Sequence, residues 1–212
     1  MRTRRPFQVC LLVVACMLVQ ACAAKGPILI NASYRATQAA VVTAPKAVIG
    51  LSSFKDERQA AASVVGHKLT ASSEKGNDLV IQGTVKDLVA RSFRDALAKH
   101  GIPVKSVPAW DLTDEDIPVN EADVVLGGEI EKFWAEVVSG TLNAKYNVSV
   151  RIRVTLADAA ERRITRKLIL NTSMDRKDVT FSAERMGDML SEALSSSIDQ
   201  LLNNEDFKKL VH

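Results

Sequence analysis

The chain has 212 residues, of which 28 are lysine or arginine and 25 are acidic. Three arginines and no acidic residue lie in the first 21 positions, so a chain without these 21 residues would have no net charge. A nucleic-acid-binding domain is usually basic, so this balance argues against nucleic-acid binding. All three cysteines, Cys10, Cys16 and Cys22, precede residue 23, so no disulfide framework can hold the rest of the chain and a hydrophobic core must do so.

The amino terminus predicts a secretory signal over residues 1–21. Its three arginines are followed by an apolar run over residues 6–21, which is the usual order of such a signal. The run is shorter than the roughly 20 apolar residues that a membrane-spanning helix needs.

Two interpretations of the cleavage site are open. Ala21-Cys22-Ala23 fits the small-x-small rule of an ordinary secreted protein. The run from Val19 to Cys22 resembles the bacterial lipobox, and that resemblance implies cleavage before Cys22 and attachment of diacylglycerol to its thiol. Cys16 also follows a small residue, but it lies inside the apolar run rather than at its polar edge. We therefore predict lipidation at Cys22.

Residues 22–44 are rich in alanine and threonine, and they predict a lipidated amino terminus and tether with at most one edge strand. The remaining residues, 45–212, predict one α+β domain. A strand is indicated at 46–54, and an amphipathic helix at 85–99 with Thr84 as its N-cap.

The carboxyl-terminal half contains the clearest strand signal. Apolar and polar residues alternate without a break over 143–156, which indicates a long antiparallel strand with one buried face. Strands follow and precede it, the earlier one with a bulge near Glu131 and Lys132, and a second helix is indicated from about Ser182 to Asn203. These elements predict an α+β fold with a single, mainly antiparallel sheet and two amphipathic helices packed on one face.

The order of these features resembles the YajG-like family of bacterial lipoproteins. The residues that carry the resemblance are the lipobox at Cys22 and the segments FKDERQ…VVG (54–66), LVARSFRDALAKHGIPV (88–104), ADVVLGGEIEKFWAEVVSG (122–140) and KYNVSVRIRVTL (145–156). The family is described as outer-membrane lipoproteins without an established activity, so the resemblance implies a location and a fold. A looser similarity, in architecture alone, is to auxiliary lipoproteins of ABC-type lipid transport systems.

No motif for catalysis or for a cofactor is present in the sequence. The histidines, His67, His100 and His212, have no metal-ligand spacing, and no serine stands in a nucleophile elbow. We therefore expect no catalytic residue, no cofactor and no metal, and a protein that is not an enzyme.

Two groups of charged residues are candidates for binding. The first is a basic surface on the solvent-facing side of the predicted sheet, opposed by Glu129 and Glu131 and formed by Lys145, Arg151, Arg153, Arg163 and Lys167. It predicts either cross-strand charge pairing or contact with anionic lipid headgroups or an acidic protein. The second is a recognition loop with Asp56 and Arg58, for which a local ion pair is the alternative. Trp134, beside the bulge, could line a pocket or belong to the core.

The sequence as a whole predicts a lipid-anchored, non-enzymatic envelope lipoprotein that serves as a binding or accessory module in outer-membrane maintenance or lipid transport. Ala23 follows the cysteine, which indicates the outer membrane, facing the periplasm. The expected partners are the membrane, through the lipid, and an envelope protein or anionic lipid headgroups. The alternatives are an enzyme that modifies envelope glycans or lipids, and a passive structural lipoprotein.

Overall fold

The computed structural model of the protein describes residues 26–36, 45–119 and 122–211. The predicted signal peptide, Cys22 and part of the predicted tether lie outside the described residues. Within the described residues the chain forms three helices, α1 (Val85–Lys99), α2 (Ala183–Leu202) and α3 (Glu205–Val211). It also forms eight strands: β1 (Ile28–Leu29), β2 (Ile49–Asp56), β3 (Val64–Leu69), β4 (Lys75–Val80), β5 (Val104–Ser106), β6 (Val124–Ser139), β7 (Ala144–Asp158) and β8 (Arg163–Asp178).

The sheet is organised around β6. One edge of β6 pairs along its whole length with β7, which pairs in turn with β8, and both pairings are antiparallel. The other edge is shared by two parallel partners, because β2 lies beside the first half of β6 and β3 beside the second half. β5 extends the sheet parallel to β2, while β4 and β1 extend it beyond β3.

The sheet is therefore mixed, and the prediction of a mainly antiparallel sheet is wrong in this respect. Parallel neighbours need a long connection that carries the chain back to the same end of the sheet. Between β2 and β6 the chain supplies it with the β3–β4 hairpin, α1 and β5. The predicted class, α+β, agrees with the structure.

The two predicted helices cover one face of the sheet. Thr84 caps α1 by accepting a hydrogen bond from the Asp87 amide, and Ser182 caps α2 in the same way through the Arg185 amide. Their apolar stripes join the inward side chains of β7, such as Val150 and Ile152, in the main core. No helix among the described residues is long and apolar enough to cross a membrane.

The third helix, α3, is an addition to the predicted pair. It buries Phe207 and Val211 in the same core. With seven residues it spans barely two turns, too few for an apolar stripe to be recognised from the sequence.

Part of the predicted tether is integrated into the fold. β1 pairs in parallel with β4, and Ile30 and Tyr34 are buried in the main core. The segment then follows α2, where a Cβ on Gly187 would overlap the Asn31 carbonyl oxygen. The Ser33 amide donates to the Ser191 hydroxyl at 3.1 Å, and the Arg35 amide does the same to Ser195 at 2.8 Å.

A second, smaller core lies on the opposite face of the sheet. The acidic loop over 107–118 folds onto the start of β6, where Trp110 and Ile117 pack against Val125 and Ala157. Gly127 leaves room for this loop, because a Cβ there would crowd the Trp110 ring. This loop therefore covers one end of the sheet face that the sequence predicted to be exposed to solvent.

Candidate functional site

The candidate site is the uncovered part of the sheet face that points away from the helices. Strict alternation in β7 positions it, because Val150 is fully buried while its neighbour Arg151 points to the other side. The bulge predicted near Glu131 and Lys132 is confirmed by a register shift between Ile130 and Lys132. We call this surface the open face; it comprises the outward side chains of β6, β7 and β8.

A four-residue ion-pair network occupies the middle of the open face. The Arg151 Nε lies 2.6 Å from a Glu131 carboxylate oxygen, and the Arg153 Nη1 lies 2.8 Å from Glu129. Arg153 also contacts Glu131, so this glutamate joins both arginines. Glu129 and Glu131 face the same side of the sheet because they are two residues apart in β6, with Ile130 between them buried in the main core. Two acids therefore neutralise two arginines, and cross-strand pairing is the observed arrangement.

The other three predicted basic residues are not part of this network. Lys167 lies opposite Thr155, and Lys145 lies at the far end of the sheet opposite Lys177. Arg163 lies opposite Asp158, forms an ion pair with Glu161 at 2.7 Å and lines a hollow of about 300 Å³ beside α3.

The prediction that Arg163 belongs to the same solvent-facing surface as Arg151 and Arg153 is therefore wrong. An irregularity in the β7–β8 pairing after Leu156 shifts the phase of β8 near the turn, so that Arg163 faces the helical side. The register also places Asn171 and Ile169 opposite Arg151 and Arg153, rather than further cations.

Arg58, from the predicted recognition loop, is a buried structural residue. Its side chain is 4% exposed, and it contacts both carboxylate oxygens of Asp56 at 2.8 Å through Nε and Nη2. The remaining N–H groups donate to the carbonyls of Ala62, Val64 and Phe133. All five guanidinium donors are thus occupied within the protein, and the pair is neither solvated nor free to bind a ligand.

An open cleft lies between this loop and the bulge of β6. Its volume is about 410 Å³, and it is lined by Gln59, Ala60, Lys132, Trp134 and Asn147 together with Arg58, Glu131, Phe133 and Glu136. The Trp134 indole donates to Glu136 at 3.0 Å, and its ring meets His67 edge-on with centroids 4.9 Å apart. Trp134 therefore lines a pocket rather than the core, whereas Trp110 is a core residue.

Two carboxylates line the cleft, and both are engaged by other side chains. Glu131 is engaged by the arginines and Glu136 by the indole, so neither carboxylate is poised alone above the cleft. Among the described residues, no three histidines, cysteines or acids lie close enough together to hold a metal ion. The cleft was not predictable as a whole, although the bulge and Trp134 together were its signal in the sequence.

Fold and site together define a mixed α+β domain with helices on one face and a polar, partly clefted sheet on the other. No family model matches the sequence, and no curated protein matches it. Among solved structures, the fold is similar to that of a Xanthomonas campestris protein of the DUF330 family, with 11% identity and a TM-score of 0.56 over 82% of this chain and 92% of that chain.

A hypothetical protein from Chlamydia trachomatis is 13% identical with a TM-score of 0.45, over 74% of this chain and 95% of that chain. That score is too low to support an argument, whereas the Xanthomonas structure supports a statement about the fold. The shared fold is consistent with the YajG-like resemblance at the level of architecture, and an identity of 11% extends it no further.

Proposed function

We propose that the protein is a lipid-anchored, non-enzymatic lipoprotein of the bacterial outer membrane that faces the periplasm and acts as a binding or accessory module in membrane maintenance or lipid transport. The observation that carries the proposal is the position of Cys22, at the polar edge of a short apolar run behind a basic head. A thioether to lipid also accounts for the single cysteine that a mature chain would keep.

The open face is the proposed binding surface, with an envelope protein as its partner. The ion-pair network supports a protein rather than a lipid surface, because Arg151 and Arg153 are already neutralised by Glu129 and Glu131. A surface that presents both signs of charge beside an aromatic cleft is typical of protein recognition.

The anchoring half of the proposal is tested by replacing cysteines. Cys22→Ser in the full-length protein should abolish labelling by a clickable fatty acid and release the protein from the membrane fraction. Cys16→Ser is the matched control, because it changes the other cysteine that follows a small residue, and it should leave labelling intact. Labelling that persists in Cys22→Ser would refute lipidation at this position.

The binding half is tested by site-specific photocrosslinking in the protein's own envelope. A photoreactive amino acid at Asn147, in the cleft, should give a discrete adduct with one protein. The same amino acid at Arg91, exposed on α1, is the control. Equal adducts at the two positions, or none at Asn147, would reject the open face as the partner surface.

A further inference from the structure

One end of the sheet brings three turns together. β3 and β6 are parallel to each other, and both end here, where Leu69 pairs with Val138. The β3–β4 hairpin therefore lies beside the turn that follows β6. β8 ends here as well, because Asp178 pairs with Ala144 at the start of β7. We call this region the hairpin end; it comprises the turns over residues 70–74, 140–143 and 179–182.

The amino-terminal segment reaches β4 from the direction of this end. The Gly26 carbonyl accepts a hydrogen bond from the Asn77 side chain at 2.8 Å, two residues into β4. β1 is parallel to β4 and runs away from the hairpin end, so its amino-terminal side faces that end. Gly26 is only the fourth residue after Cys22, and four residue steps span at most about 14 Å. A lipid on Cys22 would therefore hold the hairpin end close to the membrane surface.

The two most exposed large apolar side chains of the described residues are at the hairpin end. Leu142 is 80% exposed in the β6–β7 turn, and Val179 is 64% exposed directly after β8. Single exposed apolar residues are ordinary on protein surfaces, but here two of them occupy adjacent turns at the end of the sheet toward which the amino-terminal side of β1 points.

Both turns are held in place by hydrogen bonds. The Gly140 amide donates to the Asn143 carbonyl at 2.8 Å, which closes the turn that presents Leu142. On the other side, the Tyr146 hydroxyl donates to the Thr180 carbonyl and accepts from the Ser182 amide. The apolar tips are thus presented by ordered backbone.

Two lysines flank these tips. Lys145 and Lys177 face each other across β7 and β8, and neither forms an ion pair with a described residue. Like charges directly opposite are mildly destabilising. An external anion would relieve the repulsion, and lipid phosphates lie at the depth where lysines beside apolar tips would meet them.

We infer that the hairpin end docks on the membrane, with Leu142 and Val179 inserted into the headgroup region and Lys145 and Lys177 against anionic lipid phosphates. The inference rests on the proposed lipidation of Cys22. β6 has 16 residues, so in this orientation it extends roughly 50 Å from the membrane and presents the open face to the periplasm.

The test measures contact between individual side chains and lipid in the full-length, lipidated protein. A mature chain would carry its only cysteine at Cys22, so Leu142→Cys, Val179→Cys and Ile169→Cys would each introduce the single free thiol. An environment-sensitive fluorophore is attached to it. The protein is reconstituted in phosphatidylethanolamine and phosphatidylglycerol vesicles that contain headgroup-nitroxide lipid.

We expect the labels at residues 142 and 179 to be quenched by the nitroxide lipid. Ile169, 52% exposed in β8 away from the hairpin end, is the matched control and should remain unquenched. Equal, low quenching at all three positions would overturn the inference. A label that is shielded from water but not quenched would indicate a second copy of the chain in place of lipid, and would overturn it too.

Mass spectrometry of the amino-terminal peptide separates failure of this inference from failure of the proposed function. A lipidated Cys22 with unquenched labels would refute the membrane contact alone. An unmodified Cys22 would refute the anchor, and with it the short link on which the contact depends.

A double variant tests the lysines. We expect the variant that combines Lys145→Glu and Lys177→Glu to dock less often. The ratio of docked to undocked orientations should fall by at least about fivefold for each lysine. Quenching of the label at residue 142 measures this ratio. Lys105→Glu with Lys167→Glu is the control at exposed positions away from the hairpin end. Equal effects of the two pairs would remove the lysines from the inference.

Discussion

Arg58 should be among the side chains whose loss is most destabilising, although it lies in a surface loop. Its five N–H groups are all engaged, by the Asp56 carboxylate and by the carbonyls of Ala62, Val64 and Phe133. Truncation by Arg58→Ala would leave a carboxylate that is only 17% exposed without its partner.

The magnitude follows from the burial of this pair. Removing one partner of a buried ion pair costs about 3–5 kcal/mol, because the other charge stays in a poorly solvated position. Most domains of this size unfold with a free energy of about 5–15 kcal/mol, so the loss is a large share of the total. Arg58→Lys keeps the charge but offers three donors in place of a planar fork, and we expect it to cost about 2–3 kcal/mol.

Urea denaturation followed by tryptophan fluorescence measures this effect, since Trp134 lines the cleft beside the loop. Arg166→Ala is the matched control; Arg166 pairs with Asp206 at 3.0 Å, but its side chain is 54% exposed. Such a pair contributes no more than about 1 kcal/mol. Equal midpoints for Arg58→Ala and Arg166→Ala would refute the argument that burial makes the Arg58 pair structural.

Three further predictions concern the core and the amino-terminal segment. Val150→Asp should lower the free energy of unfolding by several kcal/mol, on the order of 4, because Val150 is fully buried. Arg151→Gln should lower the free energy of unfolding by less than about 1 kcal/mol. Similar melting temperatures for the two variants would contradict the observed strand phase. Gly187→Ala should displace the segment over 26–36 from α2, so that limited proteolysis cuts there faster than in the unmodified protein while the helical circular dichroism is retained. Burial raises the pKa of Tyr34 to about 12, so the contribution of this tyrosine to stability is complete below pH ~10 and is lost as the pH rises towards 12. Tyr34→Phe should therefore flatten the pH dependence of the denaturation midpoint in that range. The same pH profile for the variant and the unmodified protein would contradict this prediction.

The sequence by itself determined the local elements of this protein. Strict alternation in β7 predicted which of its side chains are buried, and a phase shift in the apolar pattern of β6 predicted the bulge of that strand at the position where the register shifts. Thr84 and the apolar spacing after it predicted α1 at its observed bounds. These features depend on backbone periodicity and on hydrogen bonds between near neighbours, which a linear pattern records directly.

Only the tertiary structure decided how these elements meet. An alternating pattern is the same for a strand with parallel or antiparallel neighbours, so it could not show that β2 and β3 share one edge of β6. Nor could it show that a single irregularity in β8 separates Arg163 from the arginines of β7. The sequence pattern identified the basic side chains of the sheet, but the residues that lie opposite them depend on strand register.

The amino-terminal segment shows the same limit most clearly. Its alanines and small polar residues indicated a tether, because they lack the apolar spacing of a helix or a long strand. The structure packs part of it along α2, where Gly187 leaves room for its backbone and Ser191 and Ser195 accept its amide hydrogen bonds. The partner helix lies more than 150 residues further along the chain, so no local pattern in the segment could indicate the contact.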